Sequence, residues 1–155
     1  MEIAEKLENN HSDGVIVVRP AGETMSRQRL PYYVGISETT AGAKNISMNS
    51  IVIPPAGAAE PPLHKGYETA IYLLKGRVAT RYGHKLEKSI ICQEGDFILI
   101  KPDLPHQPIN LSVTEPALAI VARNDPNEQE SVVHYGPQAQ NNDPLKLGCD
   151  FHSAT

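Results

Sequence analysis

Residues 95–110 read GDFILIKPDLPHQPIN, an apolar run that ends in three prolines and a histidine. Gly95 follows Glu94 as a turn signal, and 96–100 then reads as a short strand. Pro102, Pro105 and Pro108 each hold φ near −65°, so 102–108 is expected to be a rigid turn carrying His106. The stretch thus places an imidazole at the end of a strand.

Outward from there, residues 61–76 read PPLHKGYETAIYLLKG. His64 and Glu68 stand four residues apart, before the apolar run 70–74. On an extended strand, residues i, i+2 and i+4 project to one face, so both side chains are expected to point into one cavity. If the fold brings His106 to them, two imidazoles and a carboxylate meet, inside a β-barrel. Such a donor set suits Fe, Zn, Ni or Mn, and with open positions it is the non-haem iron arrangement. The other reading of the same residues is a buried histidine bonded to a backbone carbonyl, with Glu68 in solvent.

The flanking sequence is almost all β. Thirteen prolines and eleven glycines punctuate short apolar runs in a chain of 155 residues, as in a sandwich or barrel. Strands are expected at 15–18, 30–37, 45–53, 77–82, 85–92 and 117–121, with a final edge strand at 132–135 and a loop at 39–42. In 45–53, Ser47, Asn49, Ile51 and Ile53 alternate with Ile46, Met48, Ser50 and Val52. A helix is expected only at 2–9. The close spacing of the runs points to antiparallel hairpins.

Length and composition give one domain that buries about 68–70% of its unfolded surface. The expected division is an arm at 1–13, a barrel at 14–135 and a polar tail at 136–155. A net charge of −4 and a pI near 5.8 argue against nucleic acid as a partner. No apolar run reaches the ~18–20 residues of a membrane span, and the polar start MEIAEKLENN is unlike a signal peptide. Cys92 and Cys149 do not make a disulfide framework. The chain is expected in the cytoplasm.

The two histidine-bearing segments resemble the paired motifs of the cupin superfamily. Gly95, Pro102, His106 and Asn110 match the second motif in spacing; His64, Glu68 and Gly76 match the end of the first. Pro62 stands where the first motif has another histidine. Seven residues rather than six separate Glu68 from Gly76, so the family spacing counted back from Gly76 falls on Thr69. A one-residue bulge would absorb the difference. The resemblance implies a double-stranded β-helix, or jelly roll, with a divalent metal on His64, Glu68 and His106. It implies a metal-dependent dioxygenase, isomerase or decarboxylase acting on a small polar metabolite, with Tyr72 or Tyr82 assisting protons. The alternative is a non-catalytic cupin that binds a sugar or organic acid with little or no metal. Cupins are frequently dimers, and an edge strand at 15–18 or 132–135 would be protected by a second copy.

The remaining candidates have plainer readings. Tyr67 joins Tyr72 and Tyr82 as a possible barrel-lining residue. Arg27 and Arg29 suit either an acidic substrate or a solvated loop. His84 follows Gly83 in a turn, and His11, His134 and His152 have no companions at ligand spacing.

Overall fold

The computed structural model describes residues 10–20, 22–25, 29–60, 62–127 and 132–134. The helix expected at 2–9, Arg27 and the tail at 136–155 lie outside the described residues.

The alternation of apolar and polar residues becomes strands throughout. The larger sheet takes the order β10 (Phe97–Ile100), β7 (Thr69–Lys75), β12 (Ala117–Arg123), β5 (Ser47–Ile53), β4 (Pro31–Ile36), β3 (Thr24–Met25). The smaller sheet is β11 (His106–Asn110), β8 (Arg77–Tyr82), β9 (Lys88–Gln93). Two short ladders complete the set, β1 (Asn10–Ser12) with β2 (Val15–Val17) and β6 (Pro62–His64) with β13 (Val132–His134). Every pairing is antiparallel, giving an all-β jelly-roll barrel.

Inward residues of both sheets meet in one core. Leu73, Ile53, Ala117 and Ala119 from the larger sheet pack with Val78 and Cys92 from the smaller. Strand β5 buries Ser47, Asn49 and Ile53 and exposes Met48, as its period of two requires. Strand β12 follows the same rule over its full length, burying Ala117, Ala119, Val121 and Arg123.

Two segments differ from expectation. Residues 38–41 form a short helix, α1 (Glu38–Ala41), where a loop is expected. Ser37 caps it by accepting from the Thr40 N–H, and Gly42 ends it at φ 65°. The second difference is that the chain after Pro105 is strand, so His106 opens β11 instead of sitting in a turn. Pro108 fits there because β11 ends its sheet, and its carbonyl still accepts from the Ala59 N–H at 3.2 Å.

Asn110 closes the end of β11. Its Nδ2 donates to Ile53 O, Pro54 O and Glu115 O at 3.0, 3.2 and 2.8 Å, and its Oδ1 accepts from the Ser112 N–H at 2.9 Å. One buried amide thus ties β5 and the loop before β12 to the smaller sheet. Among the described residues no helix is long and apolar enough to cross a membrane.

Candidate functional site

The barrel interior holds a cavity with about 50 Å³ of room for the centres of water molecules. Its wall is mostly apolar, including Ile71, Leu73 and Val121; the polar side chains on it are Thr69, Thr80, His106 and Arg123. All four are buried.

Register explains how they come together. Thr69 and Arg123 are cross-strand partners between β7 and β12, and Arg123 also faces Ser47 on β5. The three form one polar row across three neighbouring strands. On the smaller sheet His106 is the register partner of Tyr82, with Thr80 two residues along the same face. Thr80 Oγ1 lies 3.8 Å from Cys92 Sγ. Ser47 Oγ and Thr69 Oγ1 are buried and make no hydrogen bond.

Charge in the cavity is asymmetric. The His106 Nδ1–H donates to Leu104 O at 2.9 Å, which places the lone pair on Nε2. Burial pushes the imidazole below its ordinary pKa; the Leu104 hydrogen bond opposes this and the Arg123 charge adds to it. His106 is therefore neutral at pH 7. Arg123 is brought down to about 10, chiefly by burial, with Asp125 and Tyr32 holding it up. It stays cationic. Asp125 is not on the cavity wall; its Oδ1 accepts from the Asn127 N–H, and its Oδ2 makes no hydrogen bond. It supports the guanidinium from outside the cavity.

The residues expected from sequence are placed as follows. His64 ends β6, and its side chain lies outside the described residues. The turn after it is tied to the second segment, because the Gly66 N–H donates to Asp103 Oδ1 at 3.1 Å. Glu68 is exposed, on a separate depression with Asn45 and Leu99. Thr69 takes the inward position, since Thr69, Ile71 and Leu73 alternate without interruption. A bulge is present, but at Leu74, where the pairing of β12 passes from Lys75 to Leu73. It lies beyond Leu73 and leaves the face of Thr69 unchanged.

Tyr72 is on the outer face of β7, its ring 4.6 Å from that of Phe97. The period of two that turns Ile71 inward turns Tyr72 away from the cavity. Tyr82 lies on the same side of its sheet as His106, in a neighbouring depression with Ile90 and Leu104. Arg29 pairs with Glu60 at 3.1 Å on the surface, and His84 is exposed. Arg123 went unread in the sequence. Its signal is the spacing Ala117, Ala119, Val121, Arg123, which carries a charge inward at the end of an alternating strand.

The described residues on this wall fit a divalent cation poorly. Among the described residues no three His, Cys, Asp or Glu side chains lie together as a metal site. Glu68 points away, Thr69 offers a neutral hydroxyl in its place, and the wall carries a guanidinium that repels a dication.

The comparisons agree with this architecture. The family model described as Cupin domain matches residues 49–123. No curated protein matches the sequence. Among solved structures, an uncharacterized conserved protein with a double-stranded β-helix domain from Klebsiella pneumoniae aligns with TM-score 0.58 at 13% identity. That match covers 73% of this chain and 90% of the other. The polyketide cyclase RemF from Streptomyces resistomycificus aligns with TM-score 0.58 at 21% identity, covering 77% of each chain. Lactobacillus farciminis oxalate decarboxylase, solved as a formate complex, aligns with TM-score 0.63 at 18% identity, over 82% of this chain and 39% of that one.

Proposed function

The chain belongs to the cupin superfamily, and on that premise we propose that it binds a small organic molecule in the barrel without a metal. The observation that carries this reading is the cavity itself, where four buried polar side chains converge on an otherwise apolar wall. Concave, mostly apolar sites with a few convergent polar groups are the usual form of small-molecule pockets. The balance favours an organic acid over a sugar, whose many hydroxyls lose their water on burial and need a polar wall.

Elemental analysis of protein purified without chelator or affinity histidines tests the metal side. Far less than one equivalent of Fe, Zn, Ni or Mn is expected. One equivalent, lost in both His64→Ala and His106→Ala, would instead favour a metal-dependent enzyme. Saturation-transfer NMR with a small fragment set tests the binding side. Binders of the native chain are expected to be lost in Ala119→Leu, which fills the cavity from a buried position on its wall.

A further inference from the structure

Resting on that reading, we propose that the ligand is a short-chain monocarboxylate, with its head on Arg123 and Thr69 and its alkyl body against the apolar wall.

The polar row is built for an anion. Arg123 stands between Ser47 and Thr69 in the register of β5, β12 and β7. Thr69 is 1% exposed and faces the cavity, yet its hydroxyl makes no hydrogen bond. A buried hydroxyl without a partner costs stability, and beside a guanidinium the group that satisfies it is an oxygen of negative charge. Arginine offers a planar fork that matches a carboxylate, and such charge-assisted bonds are stronger than neutral ones.

Charge sets the valence. Arg123 is the only arginine or lysine among the residues on the cavity wall, and Asp125 already offsets part of its charge from outside the cavity. At most one carboxylate finds a counter-charge there. A dicarboxylate would bury a second negative charge without a partner, at high desolvation cost.

Size sets the chain length. A cavity of about 50 Å³ is small, so the body of the ligand is limited to a few non-hydrogen atoms. Ile71, Leu73 and Val121 supply an apolar surface for the methylene part.

The test uses the full chain and three probes at pH 7.5 and constant ionic strength: sodium propionate and propionamide, which match in size and differ in charge, and sodium malonate, which is larger and carries a second carboxylate. Thermal unfolding followed by tyrosine absorbance reads binding as a saturable rise in Tm. Propionate is expected to bind at least tenfold more tightly than propionamide or malonate. Arg123→Gln is expected to weaken propionate at least tenfold and bring it level with propionamide. If Arg123→Gln does not fold, Arg123→Lys keeps the charge without the fork, and Thr69→Val keeps the shape without the hydroxyl; each is expected to weaken propionate severalfold. Propionamide or malonate binding as tightly as propionate would overturn the monocarboxylate assignment and leave the barrel as a binding site. Binding unchanged in Arg123→Lys and Thr69→Val would overturn it too. No response to any probe, with no NMR fragment binding either, would overturn both readings.

Discussion

Thr69 and Arg123 face each other across β7 and β12 as register partners, and their side chains are 1% and 4% exposed. A hydroxyl and a guanidinium are thereby buried side by side at one end of an apolar barrel. The sequence raises the expectation of a carboxylate at this place. The strand's alternation delivers a threonine instead, so a neutral hydroxyl rather than a carboxylate stands beside the guanidinium.

Replacing Thr69 by valine separates stability from binding. The two side chains have nearly the same shape, and the hydroxyl makes no hydrogen bond in the ligand-free chain. Removing it relieves an unsatisfied buried group, so Thr69→Val is expected to stabilise the empty protein by about 1 kcal/mol. Urea unfolding measures this. A destabilised variant would mean that the hydroxyl has a partner in solution.

His106 gives the fold a pH dependence of definite sign. Its folded pKa is depressed, mainly by burial, with Arg123 adding to the effect, so the unfolded state binds the proton more tightly. Stability is then full above the unfolded value of about 6.5 and falls as pH drops below it toward the folded value. One proton contributes a slope of at most about 1.4 kcal/mol per pH unit. In His106→Asn the loss of stability between pH 7.5 and 5.5 is expected to be smaller than in the native chain. Parallel profiles for the two proteins would remove His106 as the source.

Asn110 holds four backbone groups at once. Asn110→Ala leaves three carbonyls and one N–H without that partner in a buried place. A loss of about 3 kcal/mol is expected, since each unsatisfied buried group costs about 1–3 kcal/mol and some are rescued by water. Urea midpoints check it; a loss below 1 kcal/mol would show that the loops rearrange freely.

Most of the barrel was legible because its strands obey one simple period. The faces of β5 follow directly from Ser47, Asn49, Ile51 and Ile53, and the spacing from Gly95 to Asn110 marked His106 and Asn110, both of which the fold buries. The site was harder. Whether Glu68 or Thr69 faces inward depends on where a bulge falls, and the bulge at Leu74 is set by pairing with Leu118 and Ala119, some 45 residues away in sequence. Arg123 was overlooked because a charge at the end of an apolar strand reads as a solvated terminus. Only the register with Thr69 shows that it points inward. Helix α1 was missed because Ser37 and Gly42 are equally good loop residues until their capping bonds form.

Gly76 and Gly95 test backbone geometry against packing. Both have positive φ, 99° and 92°. A Cβ on Gly76 would lie 2.9 Å from Ala117 Cβ, whereas one on Gly95 would meet nothing. Gly95→Ala is expected to cost about 1 kcal/mol, from the left-handed backbone alone. Gly76→Ala is expected to cost about 2 kcal/mol more, because Ala117 is fully buried and cannot yield without strain. Equal losses in thermal or urea unfolding would show that the β7–β8 turn and β12 move apart easily.

Strands 15–17 and 132–134 each already pair with a neighbour, so the edge expected there is at least partly covered. The apolar edge lies instead at β10, which among the described residues pairs only with β7 and ends the larger sheet. Phe97 is 85% exposed and Leu99 60%, and Met48, Tyr72 and Ile120 extend the same outer face. An end strand with large exposed hydrophobics is a template for another strand, and the antiparallel edge of a second copy fits it by symmetry. Sedimentation is expected to show a dimer at micromolar concentration. Phe97→Lys with Leu99→Lys is expected to shift it to monomer, with stability changed by about 0.5 kcal/mol or less per site. A native chain that sediments as a monomer throughout, or a double variant that remains dimeric, would take the interface away from β10.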